Sequence, residues 1–339
     1  MKRSAMNVLS ATALEPLWRP FGRGTATVLM FHRFADPGFG IEGHVPAVLE
    51  TNLEHLRRHR YHICSLKDFL DRLAAGEPPI PRTVVFTVDD GYADFGRIGA
   101  PIFARFDCPV TSFVVTSFLD GRRWLWYDAV RYLFGDDPRA SMQLPVGDAV
   151  LRLRWNTPVE REDALVRLTE GLKGMPTAVV EQVLVDLAQC MDRALPERPT
   201  EPFAAITWDE LRRLLASGVS VGPHSVTHPI LSRANDDRAA DEIRRSWARL
   251  RTEIPEAIPV FCYPNGMQSD FGEREMAVVR DTGMRAALSA WGGRCGLGDY
   301  RSRRFALPRS TYEDEPVRFR RVLSGMDRAL DLVRAVNPP

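Results

Sequence analysis

The sequence predicts an α/β fold built on a parallel sheet, open or closed into a barrel, with a helical insertion. Three observations predict it. Short β-rich runs recur along the chain, helical stretches lie between most of them, and between roughly residues 120 and 205 the strand rhythm stops. With 339 residues, 45% of them apolar and 26% charged, the chain can bury a large core.

Residues 1–24 form an N-terminal segment whose apolar part is broken by Thr12, Glu15 and Pro16, which argues against a cleaved signal peptide. The expected strands are 27–32 (TVLMFH), 83–90 (TVVFTVDD), 110–116 (VTSFVVT), 219–224 (VSVGPH), 260–263 (VFCY), 286–289 (AALS) and 305–308 (FALP). Ser65 caps a helix SLKDFLDRLAA before Gly76, and Thr207 with Glu210 makes a capping box for TWDELRRLLAS before Gly218. Asp94 reads as an acid at a helix N-terminus. Within the insertion, helices are expected at about 124–135, 160–172 and 177–193, with a polar stretch between the first two. Trp124, Trp126 and Tyr127 open it. Their faces suit stacking on a sugar ring, and the competing reading is that they pack the insertion onto the barrel.

The barrel region spans 25–312, and 313–339 is expected to be a C-terminal helix and tail. There, Phe319, Val322, Leu323, Met326, Leu330 and Val333 follow helical spacing. That stripe is a candidate for peripheral contact with the inner membrane, weighed against core packing, which the acidic residues on its polar face favour. The balance of 45 basic and 44 acidic residues gives no global field for nucleic acid. Five widely spaced cysteines without a CxxC pair suggest neither a disulfide framework nor a Cys-type zinc site, and a cytoplasmic location is expected.

The ionisable residues gather at one end of the expected strands: His32, Asp89, Asp90, His224, Tyr263 and Arg309 lie at or just past a strand's C-terminus, the rim that carries the active site in a (β/α) barrel. Asp89 and Asp90 can share a site only where the strand ends and the chain turns, and Gly91 makes that turn cheap. His224 and His228 stand four apart, which puts both imidazoles on one side of a helical turn. Two histidines and one carboxylate leave a coordination position open for water. In this division Asp90 is the ligand and Asp89 the general base. The competing readings are a solvated Asp-Asp-Gly turn and two unrelated histidines at a helix start.

TVDDGY at 87–92, HSVTHP at 224–229 and FCYPNG at 261–266 resemble, in order and spacing, the first three motifs of the polysaccharide deacetylases of carbohydrate esterase family 4, the NodB homology domain. The resemblance covers about 25–120 and 205–310. It implies a distorted (β/α)7 barrel, Asp89 as catalytic base, and Asp90, His224 and His228 holding a divalent cation, usually Zn2+. The implied reaction is removal of an N-acetyl group from a sugar in a polysaccharide, oligosaccharide or lipid-linked glycan. In the YPNG-type third motif the Tyr263 backbone amide is expected to help stabilise an oxyanion, with Pro264 and Asn265 facing the substrate.

Two departures accompany the resemblance. The arginine that many members carry in the third motif is absent, and Arg309 in FALPRS is its candidate substitute, pairing with Asp89; an ordinary surface ion pair is the alternative. No histidine follows His228 to serve as a C-terminal acid. However, VLMFHRF at 28–34 resembles the N-terminal strand of exopolysaccharide poly-N-acetylglucosamine deacetylases, which carries the acid role to His32. The rival functions are a non-catalytic glycan-binding protein derived from this fold and another metal-dependent amide or ester hydrolase.

Overall fold

A computed structural model describes residues 18–135 and 141–326. Its strands are β1 (Thr25–Phe31), β2 (His62–Ile63), β3 (Thr83–Val88), β4 (Val110–Val114), β5 (Ser141–Val146), β6 (Ala149–Arg154), β7 (Val219–Pro223), β8 (Val260–Cys262), β9 (Ala286–Gly292), β10 (Cys295–Gly296) and β11 (Leu307–Thr311). Seven of them run side by side in the order β7-β4-β3-β1-β11-β9-β8, every neighbouring pair parallel. The Ile258 amide donates to the Val221 carbonyl at 2.8 Å and ties the two end strands together. The result is a nearly closed parallel barrel surrounded by helices, the distorted (β/α)7 form that the resemblance implies.

Such strands are covered on both faces, so they read as continuous apolar runs. Every residue of β3 is buried. Alternate positions divide between two cores: Leu29, Phe31, Val84 and Phe86 belong to one, and Ala26, Val28 and Val85 to the other. Each of the Val, Leu and Phe side chains, when fully buried, contributes about 1.5–3 kcal/mol relative to exposure. Ser65 caps the helix Leu66–Ala74 by accepting from the Asp68 amide, and the Thr207–Glu210 capping box opens Trp208–Leu215. Both were legible from sequence.

The insertion differs from its expected form. Its helices are Trp126–Phe134, Pro158–Lys173 and Thr177–Cys190, but the stretch read as polar contains an antiparallel hairpin, β5 with β6. The hairpin's inward residues Met142, Leu144 and Leu153 join Leu133, Phe134, Leu168 and Leu187 in a separate core. Gly147, at φ 58°, makes the turn. Pro145 and Gln143 on the outward face hid the alternation.

One further expectation is corrected: the last barrel strand is Leu307–Thr311, so Arg309 lies inside it and not past its end. Asp94 stands in the first turn of the helical run that opens at Ala93, as expected. It is fully buried, pairs with Arg33 at 2.9 Å and accepts from the Phe34 amide at 2.6 Å, pinning the segment after β1. In the C-terminal helix Pro316–Ser324, Phe319 and Leu323 are buried in the barrel core, and Met326 is buried just beyond the helix, so this part of the stripe faces protein and not a membrane. Leu330 and Val333 lie outside the described residues.

Candidate active site

The rim is built first by the turn after β3. Asp90 (φ 75°) and Gly91 (φ 92°) both take the left-handed conformation, which reverses the strand and brings two consecutive carboxylates to the same end of the barrel. A Cβ on Gly91 would stand 2.7 Å from Leu119 Cδ1 and push that side chain aside, which adds crowding to the preference that φ already sets for glycine. The turn is anchored by the Asp89 amide donating to the Phe31 carbonyl at 2.9 Å and the Ile206 amide to the Gly91 carbonyl at 2.9 Å.

His224 and His228 reach the same place on a loop, which corrects the expected helical turn. Ser225 (φ 68°) and His228 (φ 58°) are left-handed, a conformation no α-helix contains. The i,i+4 spacing is satisfied by a tight loop in which Ser225 Oγ accepts from the His228 amide at 3.0 Å. Glu242, buried on the helix Asp236–Glu253, accepts from the amides of Val226 and Thr227, each at 2.8 Å. Glu242→Ala leaves those amides without an acceptor. We expect a loss of about 1–3 kcal/mol in stability and a fall in metal affinity of about 10- to 100-fold, read by chemical denaturation and by chelator competition.

Asp89 is held by Arg309 in a fork, Nη1 to Oδ1 at 2.8 Å and Nη2 to Oδ2 at 2.7 Å. Arg309 is one of the largest fully enclosed side chains; its Nε donates to the Ser289 carbonyl and its Nη1 to Thr87 Oγ1. The pair is therefore a buried bidentate ion pair and not a surface one. Burial pushes the Asp89 pKa up, but the charge and hydrogen bonds of Arg309 outweigh it and hold the carboxyl below its ordinary value.

Asp90 faces the histidines. Its Oδ1 lies 3.5 Å from His224 Nε2 and 3.3 Å from His228 Nε2. His224 Nδ1–H donates to the Cys262 carbonyl at 2.8 Å, which fixes the tautomer and leaves Nε2 for the cluster. Burial opposes charge on His224, yet the Cys262 and Asp90 surroundings prevail and raise its pKa well above the usual imidazole value. Surroundings that favour a proton on an imidazole also favour a cation.

Two donor groups could hold a metal: Asp90 with His224 and His228, and Asp89 with His224 and Cys262. The first fits. Among the described residues Asp90 Oδ1 is a buried oxygen without a hydrogen-bond partner, and it faces both imidazole Nε2 atoms. The second does not, because Arg309 occupies both oxygens of Asp89 and also contacts Cys262 Sγ at 3.0 Å, while burial raises the pKa of that thiol.

The other expected residues divide. His32 directly follows β1, is half-buried, and stands within electrostatic range of both Asp89 and Asp90. The Tyr263 amide donates to the Leu288 carbonyl at 3.2 Å, and its ring stacks on Phe271 at 3.8 Å. That N–H thus belongs to the sheet, which removes the basis for an oxyanion role. Pro264 is buried, and the Asn265 amide group is bound to Asp270, closing its own loop. Trp124 is buried against Tyr132 and Phe203 and donates to the Pro196 carbonyl, a packing residue. Trp126 is half-buried and, with Thr227 and Pro229 of the histidine loop, lines a cleft beside the site.

Sequence reasoning missed Cys262 and Asp128, and it offered Tyr127 to a sugar ring, whereas the structure sets it against Asp90. The Tyr127 hydroxyl donates to Asp90 Oδ2 at 3.0 Å, and its ring meets His228 edge-on at 5.4 Å. Asp128 accepts from the Tyr92 hydroxyl at 2.6 Å, and burial lifts its pKa to about 7. The available signal was Trp126-Tyr127-Asp128 itself, an aromatic pair followed by an acid at the start of the insertion.

A family model described as polysaccharide deacetylase matches residues 181–287, the stretch that contains His224, His228 and the Cys262–Gly266 loop. No curated protein sequence matches the chain. Among solved structures it is similar to the Streptococcus pyogenes deacetylase PplD in complex with acetate, at 15% identity and TM-score 0.55 over 86% of this chain and 93% of that one. It is also similar to IcaB from Ammonifex degensii, at 15% identity and TM-score 0.56 over 89% and 97%. A de-N-acetylase from Aggregatibacter actinomycetemcomitans gives 15% and 0.53 over 86% and 96%. At such identities the structural likeness is one of fold, and the polysaccharide deacetylase model matches the third of the chain that carries the histidine loop, in agreement with the motifs that resemble that family.

Proposed function

We propose that this protein is a metal-dependent N-deacetylase, hydrolysing the acetamido group of an N-acetylated sugar in a polysaccharide, oligosaccharide or lipid-linked glycan. The observation that carries the reading is the pairing of two unlike sites on one rim: a buried Asp90–His224–His228 donor set and, one residue away, a carboxylate kept ionised by Arg309. A divalent cation such as Zn2+ bound by Asp90, His224 and His228 supplies Lewis acidity toward the acetyl carbonyl and lowers the pKa of water to about 7. Asp89 keeps lone pairs outside the Arg309 fork and takes a proton from the attacking water. Arg309 holds that carboxylate in orientation. His32, at the mouth, returns a proton to the departing amine. Trp126 offers a flat face beside the histidine loop on which a pyranose ring can stack.

The proposal places this chemistry in the cytoplasm. Five widely spaced cysteines with no CxxC pair support a reducing setting.

Acetate release from N-acetylglucosamine oligomers and lipid-linked acetylated sugars tests the function. The zinc-loaded protein is expected to release acetate, to stop after chelation and to resume on zinc addition. A metal-loaded protein that binds these glycans and releases none would instead be a glycan-binding protein. Hydrolysis of a chromogenic acetate ester without release from any acetylated sugar would point to a different amide or ester hydrolase.

A further inference from the structure

The two oxygens of Asp90 have unlike surroundings. Oδ1 faces both imidazole Nε2 atoms and has no hydrogen-bond partner among the described residues. Oδ2 accepts from the Tyr127 hydroxyl at 3.0 Å. A carboxylate can bind a cation through one oxygen or through both, and a phenol on one of them favours the first. Tyr127 also rests edge-on against His228 with ring centroids 5.4 Å apart, so a single side chain touches two of the three donor residues. It comes from the first turn of the helix Trp126–Phe134, which belongs to the insertion and not to the barrel. Its hydroxyl is flanked by that of Tyr92 at 3.3 Å, which is anchored to Asp128 at 2.6 Å.

We infer that Tyr127 is a positioning residue through which the insertion confines Asp90 to one-oxygen binding of the cation. The inference rests on the metal-site reading above and adds a component that the barrel motifs do not contain. A bound carboxylate left free to rotate or to chelate with both oxygens is a weaker and less defined ligand for a four-coordinate ion. Outer partners of metal ligands are typically worth about 10- to 100-fold in metal affinity or activity. If Tyr127 merely fills space, phenylalanine replaces it without consequence, because the ring contact with His228 survives.

The test is Tyr127→Phe in the full chain, with Zn2+ affinity measured by chelator competition and the cobalt-substituted protein examined by visible absorption. The expected result is a loss of affinity of about 10-fold or more, with weaker d–d absorption as Asp90 turns toward two-oxygen binding and the coordination number rises. Unchanged affinity and an unchanged cobalt spectrum overturn the inference. X-ray absorption on the zinc-loaded wild type decides the matter independently of how the variant folds: one close carboxylate oxygen supports it and two overturn it. A wild type that binds no zinc overturns the metal-site reading as well, whereas tight zinc binding with a silent Tyr127→Phe overturns the positioning role alone.

Discussion

Arg309→Met should destabilise the protein by about 3–5 kcal/mol at neutral pH, because it leaves the Asp89 charge buried without its partner. Asp89 and Arg309 are both almost completely buried, and methionine keeps much of the volume while removing every donor of the fork. The pH dependence should change sign. In the wild type the Asp89 pKa is depressed, so its contribution to stability is present above the unfolded-state pKa and is lost as pH falls through the lower folded value. In the variant only burial remains, the pKa rises above the unfolded value, and the penalty is relieved as pH falls through it. Urea unfolding at pH 7.5 and pH 5 measures both effects, and the deficit relative to wild type should shrink at the lower pH. Adding Asp89→Leu to Arg309→Met should restore most of the stability, since exchanging a whole buried pair for apolar groups is often neutral. A deficit that is small and independent of pH would mean that the pair contributes little.

Asp89→Asn is the second large effect and concerns turnover. If Asp89 is the base, acetate release should fall about 100- to 10,000-fold while zinc binding survives, because Asp90, His224 and His228 are untouched. This variant also removes the negative charge facing Arg309, so circular dichroism must show that the sample is folded before the rates are compared. Retained activity would move the base role elsewhere on the rim. Loss of zinc together with activity would make Asp89 part of the metal site, which the Arg309 fork argues against.

What could be read from sequence follows how local the controlling physics is. The strands after which Asp89, Asp90, His32 and His224 fall are nearly continuous apolar runs, and the helix caps at Ser65 and Thr207 are short-range hydrogen bonds, so both left marks within a few residues. The four-residue step between His224 and His228 was ambiguous, since a helical turn and a loop with two left-handed residues span it equally well. The partners that shape the loop, Glu242 and the Cys262 carbonyl, come from distant elements. The same holds for Tyr127, whose proximity to Asp90 is created by docking of the insertion. Arg309 could be associated with Asp89 because both follow apolar runs that read as strands, but its depth inside a strand depends on the register of β11 with β9, where the ladder is irregular. The Tyr263 amide was misjudged for a related reason: whether a strand-end N–H is available depends on its neighbour, here the Leu288 carbonyl.

The insertion sits in the chain between Asp90 and His224, and it has a hydrophobic core of its own. This arrangement bears on the order in which the molecule assembles. Bringing the two halves of the donor set together requires closing a very long loop, whose entropic cost rises only with the logarithm of its length and is reduced if the intervening chain has already collapsed. A self-contained insertion provides that collapse. The donor set is also a high-contact-order feature, formed only after β3, β4 and β7 have registered, and slow long-range pairings of this kind are completed late. Ion binding thus selects chains whose barrel and insertion have both finished folding, and a partly wound chain, with its carboxylate and its histidines still apart, has no competent site to offer.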